Sequence, residues 1–106
     1  MEAAIRAIVS DLEIELRALY GPRLVRLVLF GSQARGDADE GSDIDVLVVL
    51  GGPVDAWEEI ERSGRIVSDL SLEHAVVISC VFVAAERYAS EESPLLLNVR
   101  REGVLI

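Results

Sequence analysis

The chain has 106 residues, 51% of them hydrophobic, and sets 19 acidic side chains against 10 basic ones for a formal net charge of −9. That length suits one domain over residues 1–106, able to bury a core but too short for a separate substrate or nucleic-acid module. The acidity opposes sequence-independent nucleic-acid binding and suits a basic partner protein, no apolar run approaches the roughly 20 residues of a membrane span, and the N-terminus lacks the pattern of a signal peptide.

Residues 2–20 carry Ile5, Ile8, Val9, Leu12, Leu16 and Leu19 at helical spacing, with Glu13, Glu15 and Arg17 on the opposite face. Tyr20-Gly21-Pro22 stops that helix. Residues 24–30 are β-type apolar sequence interrupted by Arg26, which predicts a strand covered on both faces for most of its length. The loop that follows has an acidic tip, Asp37, Asp39 and Glu40, which reads as a solvated turn. Residues 43–50 form the second strand, ended by Gly51-Gly52-Pro53. Asp55 and Glu58 make a capping-box-like start to a helix reaching about Leu70, with Trp57, Ile60, Gly64, Val67 and Leu70 toward the sheet. Gly64 on that face implies close packing. Residues 75–83 are the third strand, and Cys80 within it reads as inert core. This single cysteine has no internal disulfide partner, which fits a reducing cytoplasm. A short helical turn over 84–90 precedes a helix that starts at Ser93-Pro94 and ends at Gly103. The apolar tail 104–106 pairs with a sheet edge or buries against a second subunit, so a homo-oligomer is left open. Helices alternating with strands predict an α+β (α/β) domain with helical cover on a sheet.

Chemistry concentrates between residues 30 and 50. Asp43 and Asp45 stand two apart on a strand, so both carboxylates leave the same face while Ile44 faces the other way. Two like charges that close repel, and one pKa rises unless a cation lies between them. Magnesium favours one or two carboxylates together with substrate phosphates. Gly31 lets backbone approach a ligand closely. Ser32 opens a Gln-Ala-Arg turn whose free N–H groups attract phosphate, or is a plain N-cap. Arg35 either touches a phosphate or braces the acidic turn, with bracing favoured.

The run Gly31-Ser32, ten residues, then Asp43-Ile44-Asp45 resembles the signature of the DNA-polymerase-β-like nucleotidyltransferase superfamily. Ala34-Arg35-Gly36 after the Gly-Ser pair and Ser42 before the first Asp strengthen the likeness, which is dense over residues 27–50. The chain is similar to minimal nucleotidyltransferases, among them the MntA-type antitoxins of HEPN/MNT toxin–antitoxin pairs. The resemblance and the tight connection between the first two strands imply a small mixed sheet of three to four strands. It also implies magnesium-dependent transfer of AMP from ATP to a hydroxyl of a HEPN-type partner, with Asp43 and Asp45 on the metal and Gly31 and Ser32 on phosphates, Arg35 and Ser42 being further phosphate candidates.

Family members generally add a third acid from a neighbouring strand, and residues 75–83 contain none. Glu73 shares parity with Val77 and Ser79 and would reach the site if that strand began early. His74, the sole histidine, is the other general-base candidate. The gap divides the readings: an adenylyltransferase-like enzyme, a nucleotidyltransferase-fold binding module that neutralises a partner by occlusion, or half of an antibiotic-modifying transferase.

Overall fold

The structure is a computed structural model that describes residues 2–39 and 41–106; Glu40, one of the three acidic-tip residues, lies outside them. The N-terminal apolar stripe folds into α1 (Ala3–Tyr20), burying Ile5, Ile8, Val9, Leu12, Leu16 and Tyr20. Leu19, expected on that face, is exposed, and Tyr20 takes its place. A single 3-10 turn, Gly21–Arg23, leads into β1 (Leu24–Phe30). Then come α2 (Ser32–Arg35), β2 (Ile44–Leu50), α3 (Ala56–His74), β3 (Ile78–Ala84), α4 (Ala85–Ser90), α5 (Pro94–Glu102) and β4 (Val104–Leu105).

The four strands form one mixed sheet in the order β3-β2-β1-β4. β1 is antiparallel to both β2 and β4, and β2 is parallel to β3. The apolar tail therefore pairs with a sheet edge, Leu105 opposite Val28 and Val104 opposite Leu29.

Side-chain alternation along the strands assigns the two faces of the sheet. Leu27 and Leu29 of β1, with Ile44, Val46, Val48 and Leu50 of β2, pack under α1 and α3. Val28, Leu47 and Val49 pack against Leu96 and Val99 of α5 on the opposite face. β2 is buried at every position except Asp45. Each Val, Leu or Ile fully buried there contributes roughly 1.5–3 kcal/mol, so a polar residue in that strand stands out.

α3 departs from the expected stripe. Trp57 and Ile60 are 69% and 48% exposed, whereas Glu59 is 1% exposed. The Glu59 carboxylate accepts hydrogen bonds from Tyr20 Oη (2.9 Å), Arg23 Nη1 (3.1 Å) and Arg62 Nη1 (2.8 Å). This cluster joins α1, the 3-10 turn and α3, and it turns the helix so that Glu59, Ser63 and Leu70 face inward. Gly64 does not pack closely: a side chain there would meet nothing within 4 Å. At the start of α3, Asp55 Oδ1 accepts from Trp57 N and Glu58 N, as the capping pattern predicts. Ser93 Oγ caps α5 through Leu96 N, with Pro94 at the first helical position.

Candidate active site

β1 ends at Phe30, and the next two residues turn the chain away from the sheet. Gly31 has φ 75° and ψ −157°, a conformation open almost only to glycine. It occupies the N-cap position of α2, so Ser32 is the first helical residue rather than the cap, and no side chain caps that helix. Antiparallel pairing places Phe30 opposite Asp45. A Cβ added to Gly31 would lie 2.5 Å from Asp45 Oδ2. The backbone angle thus calls for glycine, and a side chain there would displace the Asp45 carboxylate.

Asp45 is half-buried and Asp43 is exposed just before β2. Burial, then the charge of Asp43, pushes the Asp45 carboxyl above the usual carboxylate range. Mutual repulsion across two carboxylates on one sheet face is relieved by a bound divalent cation. Two carboxylates are the oxygen donors a divalent cation takes, so the donor set fits such an ion.

The remaining expected residues fall in different places. Arg35 Nε donates to Asp37 Oδ2 at 3.2 Å, and its Nη1 lies 3.7 Å from Glu102 Oε2 of α5. These contacts are the bracing role, and they tie the site loop to α5. Ser42 and Asp39 bond reciprocally: Ser42 N donates to Asp39 O at 3.0 Å and Ser42 Oγ accepts from Asp39 N at 2.9 Å. Ser42 thereby holds the turn that delivers Asp43.

Glu73 is not brought to the acids. α3 continues to His74 and β3 begins only at Ile78, so Glu73 sits on a helix, not on an early strand. It borders a groove with Glu15, Arg65 and Asp69 in the helical layer on the face opposite Asp45. His74 is in the same layer, its Nε2 3.4 Å from Asp11 Oδ2 of α1. Among the described residues, no group of three or more His, Cys, Asp or Glu is placed to hold a metal ion.

The strand neighbour of Asp45 is Ser79, and Val81 lies next to Leu47. A third carboxylate carried by β3 on the Asp45 face would occupy one of these positions, and neither is acidic. Cys80 points to the other face, where burial pushes its thiol up to about 12. The parity of β3 is readable from sequence, but its register against β2 is not, so Ser79 was not singled out as the partner of Asp45.

A family model for the nucleotidyltransferase domain matches residues 9–98. The chain belongs to the nucleotidyltransferase domain family. This nucleotidyltransferase is 35% identical over 72 residues to a Methanocaldococcus jannaschii chain provisionally designated protein adenylyltransferase MJ0141, covering 68% of this chain and 72% of that one. It matches a solved structure, provisionally designated a minimal nucleotidyltransferase, with TM-score 0.64 and 25% identity over 100% of this chain and 97% of that one. A toxin–antitoxin structure with AMP-PNP matches at TM-score 0.64 and 24% identity, covering 91% of this chain and 69% of that one, a likeness of fold. These matches bear out the resemblance to minimal nucleotidyltransferases and the α+β fold, and they make the protein an adenylyltransferase-like enzyme by family. No helix among the described residues is long and apolar enough to cross a membrane.

Proposed function

We propose that this nucleotidyltransferase transfers AMP from ATP to a hydroxyl group of a partner protein, in a reaction that requires magnesium. The partner is a small helical HEPN-type toxin, and the modification makes this chain its antitoxin in the cytoplasm. The reading is carried by one observation: Asp45 stands against Gly31 at the end of the neighbouring strand, its carboxyl raised above the usual range by burial and then by the charge of Asp43.

The roles follow from position. Asp43 and Asp45 hold the cation, which when bound offsets charge on the triphosphate. Gly31 and Ser32 present backbone to the terminal phosphates. Ser42 and Arg35 keep the loop in shape, each being engaged within it. The partner's hydroxyl oxygen bonds to the α-phosphorus and its proton passes to solvent water, while the bond from that phosphorus to the bridging oxygen breaks and pyrophosphate leaves with the electron pair.

Ser79 and Val81, standing where β3 could carry an acid, favour a second reading. In it the chain binds nucleotide and partner but transfers slowly or not at all, and it neutralises the toxin by direct complex formation. Labelled ATP, magnesium and the product of the adjacent gene separate the two. Label on the neighbour that is lost with Asp43→Ala/Asp45→Ala supports the enzyme. An unlabelled neighbour in a stable complex supports the binder. Parental ATP binding by the double variant would overturn the site itself.

A further inference from the structure

The sheet has one long open edge. β3 stands outermost, with β2 as its strand neighbour. Ile44 N donates to Val77 O at 2.9 Å, so Val77, Ser79, Val81 and Val83 turn their backbone groups toward β2. Ile78, Cys80, Phe82 and Ala84 turn theirs outward. Ser71 Oγ of α3 accepts from Ile78 N at 3.2 Å, while the N–H groups of Cys80 and Phe82 meet no acceptor among the described residues. Native edges are blunted by charges, proline or bulges, yet Ile78–Ala84 holds no charged residue and no proline.

α3 lies beside this edge, and a groove of about 330 Å³ runs between them. Its helix wall includes Ile60, Gly64, Val67 and Ser68, none of them charged. A glycine inside a helix costs stability relative to alanine, and a Cβ at Gly64 would meet nothing within 4 Å. Packing within the fold therefore does not call for glycine there; close approach from outside is what it permits. Helix and strand also share a centre. Ser71 stands level with Ile78. Seven residues back along α3 and three residues on along β3 each cover roughly 10 Å, so Gly64 stands level with Val81. Val81 is the midpoint of β3 and lies between the outward groups of Cys80 and Phe82.

We propose that this edge joins two copies of the chain about a two-fold axis through Val81, normal to the sheet. Cys80 of each copy then exchanges both backbone hydrogen bonds with Phe82 of the other, an antiparallel pairing that satisfies the open groups of both. The two α3 helices meet side by side at Gly64. Charge agrees with this arrangement. Glu61 and Arg65 are exposed on the solvent side of the uncharged stripe, and antiparallel helices centred on Gly64 set Glu61 of each copy beside Arg65 of the other. The edge itself brings no acid toward acid, although each chain carries a net charge of −9. A strip about 25 Å long and about 20 Å deep buries on the order of 500 Å² on each copy and about 1,000 Å² in all, enough for a specific interface at the small end of the range. The pairing needs no nucleotide. It leaves both Asp45 carboxylates open on one face of a continuous sheet, on the order of 20 Å apart.

Sedimentation and directed cross-linking test the pairing. The parent should pass from the 11.5 kDa chain mass to twice that mass as concentration rises toward millimolar. Gly64→Glu should weaken the dimer by at least about tenfold, since two carboxylates then face each other on the axis, with helical circular dichroism retained. In a Cys80→Ala background, Val81→Cys should form a disulfide dimer under mild oxidation, because residues opposed on the axis stand about 4.5 Å apart. Ser79→Cys in the same background, exposed but two residues off the axis, should cross-link far more slowly. The Val81→Cys result decides the matter should Gly64→Glu fold poorly. A parent that stays monomeric, a dimer unaffected by Gly64→Glu, or equal cross-linking at both positions overturns the assignment. So does a monomer whose Gly64→Glu variant no longer binds the product of the adjacent gene, because the edge then belongs to that protein.

Discussion

Replacing Gly31 by alanine tests the central geometry with one methyl group. At φ 75° and ψ −157° a side chain is strained, at a cost of roughly 1–3 kcal/mol. The new Cβ would also lie 2.5 Å from Asp45 Oδ2, so the carboxylate must rotate away or the strand end must shift. Gly36 separates the two effects: its φ is 82° and ψ 12°, and a Cβ there meets nothing within 4 Å. Gly36→Ala should cost about 1 kcal/mol from backbone strain alone. Gly31→Ala should cost about 2–3 kcal/mol, a fall in melting temperature on the order of 10 °C for a domain of this size. Urea titration and thermal melting of the three proteins measure the difference, and calorimetry with magnesium–ATP reads the displaced carboxylate. If Gly31→Ala melts with Gly36→Ala and binds magnesium–ATP as the parent does, the close approach of glycine to carboxylate has no consequence and the reasoning fails.

Asp45→Asn should raise the melting temperature at pH 7, because burial and Asp43 hold the Asp45 carboxyl above its ordinary range in the fold. Such a group favours folding most while protonated, and that contribution is lost as pH rises through its folded-state pKa. The gain should therefore vanish by about pH 3, and magnesium should raise the melting temperature of the parent but not of the variant. Glu59→Gln should destabilise by about 1–2 kcal/mol, since it removes the charge from the hydrogen bonds to Arg23 and Arg62, whose side chains are 30% and 44% exposed and keep part of their hydration; urea midpoints equal to the parent's would remove that cluster from the account of stability. Cys80, its thiol pushed up to about 12, should react with a disulfide reagent at pH 8 far more slowly in the native protein than in urea, and equal rates would contradict its burial.

The acid pair and its glycine were legible because their signals are local. Two-residue alternation sets Asp43 and Asp45 on one face, and the apolar runs on either side mark the strands. What escaped depends on tertiary structure. α3 passes through Ser71-Leu72-Glu73-His74 and stops at Ala75, which takes a left-handed φ of 53°. A non-glycine residue in that conformation gives no sequence sign of a helix end, so the sequence predicts a helix reaching only about Leu70 and a strand from residue 75, with Glu73 just before it and in reach of the site only if the strand began earlier. The face of α3 was misread for a related reason. An apolar stripe through Trp57 and Ile60 competes with a glutamate, and only three partners from distant positions make burial of Glu59 favourable. The register of β3 against β2, which sets Ser79 beside Asp45 and Val81 beside Leu47, is likewise a property of the assembled sheet.

The β1–β2 hairpin is a short-range structure, with only residues 31–43 between its strands. Its two halves meet at little entropic expense, whereas β3 must cross over through residues 51–77 to reach its place. Glycine, serine and both acids therefore belong to a piece of chain that can close early and open late. Fluctuations that peel off the outer strand β3 would leave the hairpin paired, so Gly31 and Asp45 should stay side by side after the neighbouring rung at Ser79 has gone.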